Sequence, residues 1–271
     1  AVYSVPWAIG LSGPLRITAL QNALDVLVQR HEVLRTTFPA ADGNPLQLIK
    51  ATAPIVIDSI DMRDSNEATV EKKLAQLAQA SFSLSEGPLF RAHLIYTAEN
   101  EHILVLVMHH IISDGWSLNV MFRELVMAYE AACKGRHPEL PPLPIQYADY
   151  AAWQREWLSG DELNRQLNYW SNQLDNIPAK LELPTDKPRP AVQTFNGDYV
   201  SRTLSPELQN AFKELASNNG CTLYMVLLAA FNVLLYRYSD QDDLVVGTPI
   251  AGRRRSELDG LLGFFINTLV M

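Results

Sequence analysis

Ile103-Leu104-Val105-Leu106-Val107-Met108-His109-His110-Ile111-Ile112-Ser113-Asp114-Gly115-Trp116-Ser117 is the stretch from which the rest of the chain can be organised. Its first six residues form an unbroken apolar run. That is far short of the ~20 residues that cross a bilayer, and suits a strand buried on both faces, a central strand. After the polar link, Leu118, Met121, Phe122, Leu125 and Tyr129 recur at helical spacing until Gly135, a stop signal. A buried strand therefore ends where a helix begins, and open α/β sheets place ligands at such carboxyl ends.

Reading outward, residues 89–97 and 102–108 pair as a hairpin around Ala98-Glu99-Asn100-Glu101. Thr18 is a candidate N-cap for a helix with Leu20, Ala23, Leu24, Leu27 and Val28 on one face. Residues 33–38 are rich in β-branched side chains and stop at Pro39; residues 46–49 and 55–57 read as short strands, and residues 67–80 as a helix. Beyond a connector over 138–144 with four prolines, residues 147–158 and 161–174 read as two helices. Residues 183–190 hold three prolines and disfavour helix and sheet alike. A second unit then offers a strand over 199–204, a helix from Ser205-Pro206-Glu207, a long apolar helix over 222–238 and a buried strand over 244–247. The organisation expected is a two-lobed α/β protein: a first lobe over 1–182, a linker over 183–197 and a partial second lobe over 198–271.

Across 271 residues, 48% are hydrophobic and 19% charged, the balance of a globular chain. Lys+Arg 22 against Asp+Glu 30 gives a net charge of −8, which argues against nucleic acid, whose phosphates select a basic face. The run Arg253-Arg254-Arg255 is followed by Glu257 and Asp259 and reads as a solvated loop. Cys133 and Cys221 are far apart and lack metal-ligand spacing, which fits a reducing compartment. With no apolar span of membrane length, the expectation is a cytoplasmic protein without a membrane partner. The chain starts in an apolar stretch and stops just after Ile266-Asn267-Thr268-Leu269-Val270, so it reads as a piece of a longer chain.

Polar chemistry is densest at His109-His110 and Asp114-Gly115. On a strand the two histidines point to opposite faces, so one can line a cleft while the other packs inside. Adjacent strand histidines do not reach one ion, and His plus Asp114 leaves no third ligand nearby, so no metal is expected. The chain has no Gly-x-Ser-x-Gly elbow and no Gly-rich phosphate loop. From the residues alone, a structural pair and a functional site both stay open.

His109-His110-x-x-x-Asp114-Gly115 resembles the HHxxxDG signature of the condensation domains of nonribosomal peptide synthetases, distant relatives of chloramphenicol acetyltransferase. Three companions stand in the family's order: residues 30–38 resemble its RHExLRTxF element, residues 147–153 its YxDYAxW element, and residues 263–268 its GxFVNT element. The resemblance covers the whole chain, while the family's opening element and everything after GxFVNT are absent. It implies the two-lobed chloramphenicol-acetyltransferase-like fold. It also implies an acyltransferase that joins a donor acyl or peptidyl thioester to the α-amine of an acceptor aminoacyl thioester. Both substrates ride on 4'-phosphopantetheine arms of donor and acceptor carrier proteins, with an adenylation domain as neighbour and no cofactor bound by the domain itself. The doubled His argues against heterocyclisation domains, and Trp116-Ser117 look more like a condensing domain than an epimerising one. Within condensing domains the pattern leans toward the type that joins two L-configured residues.

By the same resemblance His110 faces the tunnel and acts on the reacting amine, either as a general base or as a stabiliser of the tetrahedral intermediate. His109 belongs to the core. Asp114 braces the loop by pairing with an arginine, Arg253 first and Arg35 second. Gly115 leaves room for the acceptor arm, and Trp116, Ser117 and Asn267 line the substrate tunnel. Trp153 and Trp157 pack the lobe. Two other readings share the fold: a stand-alone coenzyme A-dependent acyltransferase, and a non-catalytic docking relative.

Overall fold

The computed structural model describes residues 2–178, 180–195, 197–198 and 200–271. They form two compact units, one of residues 1–163 with 250–267 and another of 164–249 with 268–271. The return of residues 250–267 to the first unit is not visible in the sequence, because nothing local marks it.

The first unit is built on strand β1 (Ser4–Ser12), helix α1 (Ile17–Arg30), β6 (Ile57–Asp61), α2 (Glu67–Gln79), β7 (Phe90–Ala98), β8 (Glu101–His109), α3 (Gly115–Cys133) and α4 (Tyr147–Trp157). Between α1 and β6 lie two small ladders: β2 (Thr36–Thr37) with β5 (Leu48–Ile49), and β3 (Ala40–Ala41) with β4 (Asn44–Pro45). The main sheet has the order β1-β8-β7-β6, which makes the apolar run the interior strand that its composition predicts. β1 and β7 flank β8 antiparallel, with Ser4 opposite His109 and Phe90 opposite Met108, while β6 pairs parallel with β7.

Period-two alternation splits β8 between two cores. Leu104, Leu106 and Met108 pack with Leu24 and Leu27 of α1 and Met121 of α3; Val105 and Val107 turn to the other face, where Val70, Leu74 and Leu77 of α2 cover them. Leu24, Leu27, Leu104, Leu106 and Met121 are fully buried, each contributing about 1.5–3 kcal/mol of apolar transfer. α3 ends at Cys133 with Lys134 as its C-cap, followed by Gly135 at φ +65°, the left-handed stop that glycine accommodates.

Several local expectations are corrected. α1 begins at Ile17, ahead of Thr18, and its capping residue Arg16 makes no side-chain cap. Tertiary bonds hold this end instead: the Arg16 N–H donates to the Tyr129 hydroxyl at 3.0 Å, and its guanidinium to the Cys133 carbonyl at 2.5 Å. Residues 33–38 are not one strand. Glu32–Arg35 coil into a 3-10 turn, closed by the Thr36 hydroxyl on the Glu32 carbonyl at 2.8 Å, before the short β2. The strand predicted over 55–57 begins only at Ile57 and runs to Asp61, and that over 46–49 contracts to Leu48–Ile49.

The second unit holds most of α5 (Gly160–Gln173), α6 (Pro206–Asn218), α7 (Leu223–Ser239) and a ladder of β9 (Gly247–Ile250) with β10 (Asn267–Val270). Ser205 and Thr222 cap α6 and α7 by accepting the N–H groups of Leu208 and Met225. The strand predicted over 244–247 starts only at Gly247, and Thr248 is its one buried residue. Of the strand predicted over 199–204, Tyr199 lies outside the described residues and 200–204 carry no regular structure. Among the described residues no single helix is long and apolar enough to cross a membrane; α6 and α7 pass that test only as a pair bent by 105°.

Candidate functional site

β8 ends at His109, and His110 has already left it for a 3-10 turn, His110–Ile112. The two rings are therefore separated by a break in the backbone rather than by strand alternation. The His109 ring lies between Tyr3 and Phe82, with its Nδ1 accepting the Ile111 N–H at 3.1 Å. It is half-buried, not a full core residue. Burial and then the neighbouring His110 pull its pKa below the ordinary histidine value, favouring the neutral ring.

His110 is placed by its own turn. Its backbone N–H donates to the Tyr3 carbonyl at 2.7 Å, and its Nδ1 lies 2.7 Å from the Ser113 carbonyl. A carbonyl only accepts, so Nδ1 carries the proton and, in the neutral ring, Nε2 keeps its lone pair. The Phe264 ring meets the imidazole at 5.1 Å and 88°.

Asp114 caps α3, accepting the Ser117 N–H at 2.8 Å and the Ser117 hydroxyl at 2.7 Å on Oδ1. Its Oδ2 accepts the backbone N–H of Phe265 at 3.1 Å, and Arg253 Nη2 lies 3.4 Å from Oδ1. Both side chains of that ion pair are 1% exposed. Arg253 also donates to the carbonyls of Leu258 and Leu261, to the Ser117 hydroxyl at 3.0 Å, and covers the Phe265 ring at 3.9 Å. Burial lowers the Arg253 pKa, and the Asp114 carboxylate works against that shift.

Arg35 is elsewhere: its guanidinium binds the Lys50 carbonyl and Glu32, and Asp114 is not among its partners. Ser117 is buried, and its hydroxyl serves Asp114, Arg253 and Gly263, so it stands in the brace rather than along an open wall. Trp116 is 44% exposed and donates its indole N–H to the Asp259 carbonyl at 3.0 Å. Asn267 is exposed at the start of β10. At Gly115 a Cβ would meet open space and φ is not positive, so the fold itself does not demand glycine there. Trp153 and Trp157 stack on each other at 5.5 Å and 6° and remain well exposed, which corrects the expectation that they pack the lobe.

Tyr147 is a site residue that the sequence reading does not single out. Its hydroxyl donates to the Phe264 carbonyl at 2.8 Å, and burial pushes its pKa up to about 12. A signal for it exists, since it opens the YxDYAxW-like element, but a tyrosine at a helix start has no local mark of a long-range bond. A buried charge cluster lies farther along α3: Glu124 accepts from His31 Nε2 at 2.7 Å and Arg30 Nε at 3.0 Å. Burial works against the Glu124 carboxylate, but His31 and Arg30 outweigh it and leave its pKa below the ordinary value. Among the described residues no group of three or more His, Cys, Asp or Glu is arranged to hold a metal ion.

The Condensation domain family model matches residues 1–271. The chain is 49% identical over 274 residues to a linear gramicidin synthase of Brevibacillus parabrevis, covering 100% of this chain and 4% of that protein. It is 42% identical over 274 residues to phosphinothricin tripeptide synthetase PhsC of Streptomyces viridochromogenes, covering 100% and 25%. Among solved structures, the X-domain from teicoplanin biosynthesis superposes with a TM-score of 0.89 at 32% identity, covering 99% of this chain and 60% of that one. A four-domain nonribosomal peptide synthetase bound to AMP and glycine gives a TM-score of 0.86 at 25% identity, covering 100% and 20%. The chain thus spans a small part of these synthetases, and over its whole length the HHxxxDG-like turn, the sheet that carries it and the family match agree: it belongs to the condensation-domain family.

Proposed function

We propose that this chain forms an amide bond between a donor acyl or peptidyl thioester and the α-amine of an acceptor aminoacyl thioester, each on the phosphopantetheine arm of a carrier protein. The observation that carries this reading is the His110 ring, its Nδ1 fixed on the Ser113 carbonyl at 2.7 Å and its Nε2 left as an acceptor. The amine nitrogen attacks the thioester carbonyl carbon, the N–C bond forms, and the C–S bond breaks. The proton that leaves nitrogen passes by way of Nε2 to the departing sulfur, so the products are an amide and a free thiol. His110 serves as base or holds the tetrahedral intermediate; a neutral imidazole with Nε2 free as an acceptor suits either role. Thioesters are activated acyl donors, and tethering supplies millimolar effective concentration, so little else is needed from the protein.

Asp114, Arg253 and Ser117 act as the brace of the loop, with His109 as the neutral packing partner. Trp116 and Asn267 stand along the substrate path, and Gly115 gives the acceptor arm room. No cofactor is bound by the domain, the neighbouring units include carrier and adenylation domains, and the expected lobes are 1–182 and 198–271 joined by 183–197. A cytoplasmic setting agrees with two cysteines that are both unbridged.

The stand-alone acyltransferase reading would use the Arg253–Arg255 run for coenzyme A phosphates. Arg253 is buried against Asp114 and Arg255 lies over the Trp153 ring at 5.0 Å, which disfavours it. The docking reading draws on one relative: the teicoplanin X-domain has been solved in complex with OxyB.

The test is a single-turnover assay on the protein that carries this chain, with donor-loaded and acceptor-loaded carriers and detection by intact mass. Transfer to the acceptor carrier, reduced about 10²-fold or more in His110→Ala, is the expected result. Transfer only from acyl-coenzyme A to a free amine or alcohol would replace it with the acyltransferase, and no transfer from several matched pairs would favour docking.

A further inference from the structure

Residues 261–265 are a buried segment with one outlier. Leu261, Leu262 and Phe265 are between 1% and 4% exposed, while Phe264 between them is 40% exposed and turned against the His110 ring. Its backbone is held on both sides. The Gly263 N–H donates to the Ser117 hydroxyl at 3.1 Å, the Phe264 carbonyl accepts the Tyr147 hydroxyl at 2.8 Å, and the Phe265 N–H donates to Asp114 Oδ2 at 3.1 Å. A Cβ at Gly263 would run into the Tyr147 ring, so the chain passes as close to that ring as glycine allows.

Three side chains thus clamp three consecutive residues, and the one ring left projecting is set beside the imidazole. Nothing in the clamp needs an aromatic group at 264. Each bond goes to backbone, so any side chain at 264 would be presented at the same place. We infer that Phe264 is a specificity-determining residue, an apolar wall that limits the size of the acceptor's side chain. The inference rests on the proposed amide-forming reading.

The side of the reaction it controls follows from distance. The acceptor nitrogen must come within about 3 Å of the histidine nitrogen that handles its proton. Its α-carbon lies one bond, ~1.46 Å, farther on. With its ring centred 5.1 Å from the imidazole centre, Phe264 stands within the scale of that reach, and the inference places it against what the acceptor α-carbon carries. The donor's α-substituent is one bond farther from that nitrogen than the acceptor's, because the carbonyl carbon under attack stands between them.

The experiment compares wild type with Phe264→Ala, Phe264→Leu and Phe264→Trp in the protein that carries this chain. Alanyl and tryptophanyl pantetheine thioesters compete as acceptors against one donor; a second series varies the donor against one acceptor. Apolar pockets discriminate by about 10- to 200-fold per methylene-sized difference. Phe264→Ala should therefore raise the tryptophanyl-to-alanyl ratio of kcat/KM about tenfold or more, Phe264→Leu should raise it less, and Phe264→Trp should lower it. The donor ratios should stay put. Should Phe264→Ala fail to fold, Phe264→Leu and Phe264→Trp still carry opposite signs. An unchanged acceptor ratio in an enzyme that transfers, or an equal shift in the donor ratio, overturns the inference alone. A folded wild type that transfers nothing overturns the reading beneath it and the inference with it.

Discussion

Phe265 donates its backbone N–H to Oδ2 of Asp114 at 3.1 Å, across a separation of 151 residues. The carboxylate that caps α3 therefore also fixes the segment lying against His110. Asp114 works as a tie between two distant stretches of chain, with Arg253 neutralising it in a site closed to water.

Asp114→Ala should remove about 3–5 kcal/mol, because it leaves the buried Arg253 guanidinium without its counter-charge. Urea unfolding of the purified variant measures this, and a poor yield of folded protein is the cruder sign. Wild-type stability combined with lost transfer would move Asp114 from brace to chemistry.

Two glycines near the site should behave in opposite ways. Gly263→Ala drives a methyl group into the Tyr147 ring and should lower the melting temperature. Gly115→Ala meets open space and should leave it unchanged, yet reduce transfer where the acceptor arm crosses that backbone. Thermal unfolding and single-turnover rates on both variants separate folding from passage.

Tyr147→Phe removes one hydrogen bond to the Phe264 carbonyl and should cost about 0.5–1.5 kcal/mol. With its pKa raised to about 12, the hydroxyl stays a donor far above neutral pH, so the variant should lower the rate by a constant factor from pH 6 to 9. A change in the shape of the pH–rate profile would mean that Tyr147 titrates in the reaction.

The pKa of Glu124 is lower in the folded chain than its ordinary 4.5. The unfolded chain then binds more protons in that interval, so stability from this group is complete above pH 4.5 and drains away as pH falls toward the lowered value. Glu124→Gln should lower stability at pH 7 and flatten the acid limb of a stability–pH curve. An acid limb as steep as wild type would assign that loss to other carboxylates.

The sheet and its carrier helix were legible because both are written in local periodicity: β8 as an apolar run, α3 as a 3.6-residue pattern ending at Gly135. The turn was legible by composition, since His109, His110, Asp114 and Gly115 are adjacent. What the pattern did not carry was anything decided by a partner far away. The start of α1 is set by the Tyr129 hydroxyl, not by Thr18. The 3-10 turn at Glu32–Arg35 is tied from the Gln146 side chain, which accepts the Glu32 N–H at 3.2 Å. Ser117, expected along the substrate tunnel, is buried because its partners Gly263 and Arg253 lie more than a hundred positions later. The wall beside His110 was hidden for the same reason.

The same separation sets a timetable for the ribosome. His110 and the sheet that carries it emerge early, but Phe265 follows Asp114 by 151 residues. At 5–20 residues per second, that is a delay of roughly 8–30 s. During that interval the nascent sheet carries a histidine without Phe264 beside it and a carboxylate without its arginine, so this cluster is completed late in translation.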